Sequence, residues 1–109
     1  MRIFLLGISI LIGTISTSYA DDETTATEAG EARYAQNCGN CHGPGGMGLA
    51  SYPRLAGKDA SYIEERLKTY RAGTKIGPNS ALMIMMAKPL SDAEIKNLAA
   101  YLSTVQPNG

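Results

Sequence analysis

Residues 38–46, CGNCHGPGG, decide how this 109-residue chain is interpreted. Two cysteines and one histidine lie within five positions, and the sequence holds no other cysteine or histidine. The spacing C-x-x-C-H is compatible with a redox dithiol, with part of a zinc site or with covalent attachment of haem. Each of these three sites makes a different demand on the rest of the chain.

The residues present in the sequence exclude the redox dithiol and the zinc site. Dithiol exchangers of the CxxC type accompany a βαβ pattern, and no segment alternates as a strand does. Structural zinc needs four nitrogen or sulfur ligands, and the motif supplies three at most. Nucleophilic catalysis needs a free histidine opposite the nucleophile, but His42 directly follows Cys41. Covalent haem remains: Cys38 and Cys41, one helical turn apart, bind the two vinyl groups, and His42 binds the iron.

Residues 1–20 have the pattern of a secretory signal peptide. A positive charge at Arg2 is followed by an apolar run to about Ile12 and by a Ser-Tyr-Ala end. The run is shorter than the ~20 residues of a membrane-spanning helix. We therefore expect cleavage after Ala20, export to the periplasm and no stable membrane insertion. Residues 21–27 are predicted to be a flexible acidic N-terminus, and residues 28–105 to be the domain.

The composition indicates a thin core and a mildly basic domain. The chain has no tryptophan and one phenylalanine, Phe4, which lies in the predicted signal peptide. Domains this small usually need a staple such as a metal or a large cofactor, and haem fills that role. Residues 32–109 carry nine basic and five acidic side chains. That surplus is too small to indicate nucleic-acid binding, and it suits an anionic docking partner.

Three helical segments predict an all-α fold. They span Glu28 to about Cys38, Asp59 to about Ala72, and the residues after Ser91 to about Thr104. Ser91 and Glu94 form one predicted capping box, and Ser61 with Glu64 a second. Gly73 is the expected stop of the middle helix. Residues 43–58 and 73–90 are predicted to be long loops, which in small domains are functional or wrapped around a ligand.

The second iron ligand cannot be a histidine, because none remains. The candidates are a methionine, a lysine or an open site, and a methionine ligand raises the potential and suits electron transfer. Met47 lies too close to His42 in sequence, which leaves Met83, Met85 and Met86. At least two of these three are packing residues, and periodicity does not choose among them.

The chain resembles the class I cytochrome c family, especially small soluble bacterial members. The resemblance covers residues 28–104. Its ordered motifs are the Gly30-x-x-x-Tyr34-x-x-x-Cys38 helix, the CxxCH stretch, the segment Tyr52 to Gly57, the methionine segment, and Leu90-Ser-Asp leading to Leu98-Ala-Ala-Tyr101-Leu102. It implies three main helices and long loops wrapped around one covalent haem.

The resemblance also implies roles for individual residues. In relatives the ligand methionine precedes the residue before the Ser-Asp cap by seven positions, which here gives Met83. Pro53 would accept the Nδ1–H bond of His42, which fixes the imidazole tautomer, and Leu55 and Leu98 would face the haem. Gly30 would allow the first helix to cross the last closely, with Tyr34 and Tyr101 at the crossing. The candidates for the haem propionates are Arg54, Tyr62, Arg71 and Asn79.

The predicted function is one-electron transfer by a periplasmic monohaem c-type cytochrome that is not itself an enzyme. Its partners would be redox proteins, either a membrane oxidase or reductase complex or a periplasmic dehydrogenase. The alternative is an electron-accepting cytochrome subunit of a sulfide- or thiosulfate-oxidising dehydrogenase, since the same residues resemble such subunits. A gas-binding haem with an open site is disfavoured by the methionine segment and by the position of CxxCH far from the C-terminus.

Overall fold

The computed structural model describes residues 20–106, together with Gly7, Ile10 and residues 12–14. Most of the predicted signal peptide therefore lies outside the described residues. The helices are α1 (Ala20–Asn37), α2 (Gly39–His42), α3 (Ala60–Arg71), α4 (Ser80–Ala87) and α5 (Asp92–Thr104). The described residues form no strand, and their one β-bridge is isolated, between Leu49 and Tyr52. The all-α prediction is confirmed.

Helices α1 and α5 cross at a position that admits no side chain. A Cβ atom placed on Gly30 would lie 1.9 Å from the main-chain oxygen of Asn97 and 2.9 Å from Cβ of Tyr101. The rings of Tyr34 and Tyr101 meet beside this point, with centroids 5.6 Å apart. The close crossing that the resemblance implied is present, and it requires glycine at position 30.

One hydrophobic core joins α1, α3 and α5 with the residues around the end of α4. Its buried members are Tyr34, Ile63, Ala87, Leu90, Ile95, Leu98, Ala99 and Leu102. Among the described residues, the largest fully buried side chains are Ile95 and Leu98. The core is therefore small, as the scarcity of aromatic residues predicted.

The last helix starts as predicted and the middle helix does not. Ser91 Oγ accepts the amide hydrogen of Glu94 at 3.1 Å, and Glu94 Oε1 accepts that of Ser91 at 3.1 Å, which completes the capping box. The capping box predicted for Ser61 is wrong, because α3 begins at Ala60, with Asp59 as its N-cap residue. A serine already inside the first turn cannot cap that turn.

Helix α4 corrects the prediction that residues 73–90 are entirely loop. Its sequence, SALMIMMA, is a short apolar run in which polar residues do not mark one face, so its period is invisible. The helix begins where the buried hydroxyl of Ser80 accepts the amide hydrogens of Ile76 and Gly77 at 2.9 and 2.7 Å. The predicted stop at Gly73 is confirmed, with φ at +86° directly after the C-cap residue of α3.

Helix α1 also begins earlier than the sequence indicated. It includes residues 21–27, for which a flexible segment was expected. Residues 21–27 are mostly aspartate and threonine, which have low helix propensity, but acidic residues near a helix N-terminus interact favourably with its dipole. Within the described part of the chain, no helix combines the length and the apolar composition that crossing a membrane requires.

Candidate functional site

The CxxCH stretch forms a tight turn at the end of α1. The amide of Cys38 donates to the carbonyl of Tyr34 at 2.8 Å, which closes the last turn of α1. The amide of His42 then donates to the carbonyl of Cys38 at 3.0 Å, which closes the single turn of α2. Both thiols are free and half-buried. Burial raises the pKa of the Cys38 thiol, and the nearby Arg33 opposes that shift in part.

His42 is buried, and its ring orientation is set by one hydrogen bond. Its Nδ1 atom lies 2.9 Å from the main-chain oxygen of Pro53. A carbonyl oxygen only accepts, so Nδ1 donates the hydrogen, and in the neutral imidazole the lone pair is then on Nε2. This is the bond that the resemblance implied. The ring of Tyr52 meets the imidazole edge-on, with centroids 6.0 Å apart.

The loop that carries Pro53 is fastened by main-chain hydrogen bonds. The carbonyl of Gly46 accepts from the amides of Leu55 and Ala56 at 2.7 and 2.9 Å. The amide of Gly48 donates to the carbonyl of His42 at 2.8 Å, and that of Gly57 to α5. These bonds hold the Pro53 carbonyl opposite the imidazole.

Tyr34 supports the same turn, a role that the sequence analysis did not assign. Its hydroxyl donates to the carbonyl of Gly43 at 2.5 Å, directly after His42. Burial raises the pKa of Tyr34 to about 12. A tyrosine on the apolar face of a helix usually indicates a buried hydrogen-bond partner, and that signal was available in the sequence. Gly43 has φ at +80°, and a Cβ there would lie 2.8 Å from the oxygen of Gly48.

The three candidate methionines differ in their position on α4. Met83 is partly buried, on the side of the helix that also carries the buried Ser80 and Ala87. Met85 and Met86 are 61% and 41% exposed. Met85 lies on the opposite side of the helix from Met83, whereas Met86, three residues on, lies on the flank next to it. Met83 lies on α4, which packs on α3. The cysteines and His42 lie elsewhere, at the end of α1 and in α2.

The two leucines expected to face the haem and one of the propionate candidates have defined contacts. Leu55 is partly buried and packs against the core, in which Leu98 is fully buried. Arg71 donates to the carbonyl of Leu90 and to Asp92.

Two further propionate candidates also have contacts of their own. Arg54 Nη2 lies 3.7 Å from the sulfur of Met47, and the Tyr62 ring lies beneath Lys58 and Arg66.

The donor set fits a covalently bound haem. Two thiols one turn apart suit attachment to one edge of the ring, and the protonated Nδ1 of His42 leaves Nε2 for the iron. No group of three or more His, Cys, Asp or Glu side chains in the described residues could hold a bare metal ion.

Comparison with known proteins agrees with this assignment. Residues 27–106 match the family model for cytochrome c. The chain is 48% identical over 77 residues to cytochrome c-554(548) of Halomonas halodenitrificans, covering 70% of this chain and 92% of that protein. It is 46% identical over 77 residues to a thiosulfate dehydrogenase electron acceptor of Thiomonas intermedia, covering 69% of this chain but 34% of that protein.

A solved structure gives the same result for the fold. Cytochrome c4 of Acidithiobacillus ferrooxidans superposes with a TM-score of 0.66 at 34% identity. The match covers 72% of this chain and 49% of that one. The chain thus spans about half of that structure and a third of the thiosulfate dehydrogenase electron acceptor.

Proposed function

Because the chain belongs to the cytochrome c family, we propose that it is an electron carrier with one covalent haem c, ligated by His42 and Met83. The observation that carries this proposal is the hydrogen bond from His42 Nδ1 to the Pro53 carbonyl, which leaves Nε2 available to iron. The haem supplies a reversible one-electron couple. The protein provides attachment, ligands and a low-polarity surrounding, so it transfers electrons and is not an enzyme.

Each site residue has a defined task in this proposal. Cys38 and Cys41 hold the haem by thioether bonds, so the cofactor is not lost outside the cell. The Pro53 carbonyl raises the basicity of the His42 imidazole and prevents the ring from rotating. Met83 supplies a soft thioether ligand that raises the potential, and Leu55 lines the pocket.

The proposed location is the periplasm, after removal of residues 1–20. The family's haem is attached to exported chains, and the N-terminal sequence has the composition of a signal peptide. Residues 21–27 then lead into the domain at residues 28–105. The proposed partners are a membrane oxidase or reductase complex, or a periplasmic dehydrogenase; the weakly basic domain suits an anionic docking face.

A second candidate is the electron-accepting cytochrome of a sulfide- or thiosulfate-oxidising dehydrogenase. The similarity to a thiosulfate dehydrogenase electron acceptor favours it. The native protein should be purified and its mass determined in solution. A monomer that exchanges electrons with several partners supports the free carrier. A stable complex that oxidises thiosulfate or sulfide supports the second candidate.

Haem attachment is tested by expressing the full-length chain in a host that matures exported c-type cytochromes. We expect one haem per chain that stays with the denatured polypeptide, and a reversible one-electron potential. The Cys38→Ala and Cys41→Ala double variant should release its haem to acidified acetone, whereas the single variants should keep one thioether bond. Complete extraction of haem from the unaltered protein would contradict the proposal.

A further inference from the structure

The segment that carries the methionines is joined at its two ends by one side chain. Arg71, the last residue of α3, donates from Nη1 to the main-chain oxygen of Leu90, 3.0 Å away. The two residues are 19 positions apart, and α4 with Met83 lies between them. The side chain therefore closes the loop on which the proposed iron ligand is carried.

A second contact fixes the guanidinium group of Arg71. Its Nη2 atom lies 2.6 Å from Oδ1 of Asp92. The Asp92 side chain is 77% exposed, so the ion pair alone stabilises little. The bond to Leu90 matters more, because that residue is 6% exposed and its carbonyl loses water when buried. A planar guanidinium presents N–H groups to both acceptors in a fixed geometry, whereas the ammonium of lysine is a compact charge on a flexible chain.

The position of Leu90 is linked directly to the position of α4. The amide of Leu90 donates to the carbonyl of Ala87, the last residue of α4, at 3.0 Å. Ala87 is fully buried, whereas Leu82, Met85 and Met86 of the same helix are exposed. Fastening the Leu90 carbonyl to the end of α3 therefore fastens the end of α4 as well.

We propose that Arg71 is a positioning residue for the axial methionine: by binding the Leu90 carbonyl it holds α4 where Met83 stays on the iron. This inference rests on the proposed ligation by Met83. When the bond is removed, residues 72–90 open more often and the methionine leaves the iron more often. Attachment through the two cysteines and His42 does not depend on Arg71.

The test is a titration of the ferric protein with imidazole. Imidazole binds the iron only after the methionine has left, so its apparent affinity reports the open fraction. We expect Arg71→Gln to bind imidazole about ten- to a hundredfold more tightly than the unaltered protein. Arg71→Lys should lie between the two. Arg66→Gln is the control on the same helix, since that guanidinium lies over the Tyr62 ring, and its affinity should be unchanged.

A general loss of stability must be separated from the opening of this loop. Ala35→Gly lowers helix propensity at an exposed position of α1, away from the loop. It should leave the imidazole affinity unchanged. The inference is wrong if Arg71→Gln gives the affinity of Arg66→Gln, or only the change seen in Ala35→Gly. If Arg71→Gln does not accumulate, Arg71→Lys replaces it; it should tighten binding in the same direction, and no change would refute the inference.

Failure of the inference is distinguishable from failure of the proposed ligation. Should Met83→Ala retain the ferric iron–sulfur charge-transfer band, the ligand assignment is wrong and the premise falls. Should Met83→Ala lose the band while Arg71→Gln binds imidazole like the unaltered protein, the ligation stands and only the role of Arg71 is refuted.

Discussion

Substitution of Gly30 by alanine tests the helix crossing most severely. The new Cβ would lie 1.9 Å from the main-chain oxygen of Asn97, so α1 and α5 must separate locally by about 1.5 Å to restore an ordinary contact. Neither the backbone of Asn97 nor the Cβ of Tyr101 can rotate away. Overpacking of this kind costs about 3 kcal/mol, whereas glycine-to-alanine substitution within a helix contributes about 1 kcal/mol of stability. The net expectation is a loss of about 2 kcal/mol.

Urea unfolding followed by circular dichroism measures this loss, and the thermal midpoint should fall by about 10 °C. Ala35→Gly is the matched control, because Ala35 is exposed on the same helix. It should lose about 1 kcal/mol through helix propensity alone. An increase in stability for Gly30→Ala, as propensity by itself predicts, would show that the two helices do not cross so closely.

Three further predictions concern a helix cap, a buried hydrogen bond and the pH dependence of stability. Ser91→Ala removes the capping box with Glu94 and should lower the unfolding free energy by about 1 kcal/mol. Tyr34→Phe leaves the buried carbonyl of Gly43 without its donor and should cost about 1–3 kcal/mol. The hydrogen bond from the Arg71 guanidinium lowers the pKa of Asp92 below its ordinary 3.8. Its ionised form therefore stabilises the fold above that pH, and the advantage over Asp92→Asn should disappear as the pH falls through the lowered value.

Each of these three has its own check. Ser103→Ala, in the last turn of the capped helix, should change stability far less than Ser91→Ala. Tyr70→Phe removes a hydroxyl from a partly buried ring and should cost less than Tyr34→Phe. For Asp92, unfolding is measured from neutral pH to about pH 2; a difference from the asparagine variant that stays constant across this range would contradict the sign.

The sequence predicted those features that depend on local patterns. The capping box at Ser91 and the stop at Gly73 need only neighbouring residues, and both are present. The CxxCH spacing identified the cofactor because one histidine excludes the alternatives. Gly30 was assigned through the resemblance, since glycine in a helix by itself says only that the helix is weakened.

The features that were missed depend on contacts between distant residues. Helix α4 lacks a polar face, so an apolar run of eight residues could be loop, strand or helix until its packing on α3 is known. The start of α3 at Ala60 is set by the chain preceding it, whereas Ser61 merely has the right residue type. The bond between Arg71 and Leu90 involves a main-chain carbonyl, which no residue pattern reveals.

The central claim, a haem iron held between His42 and Met83, is tested most directly by the ferric absorption spectrum of two variants. Met83→Ala should lose the iron–sulfur charge-transfer band and lower the reduction potential, because a thioether ligand raises it. Met86→Ala, at a more exposed position of the same helix, should keep both the band and the potential. A band retained in Met83→Ala and lost in Met86→Ala would contradict the account and move the ligand to Met86.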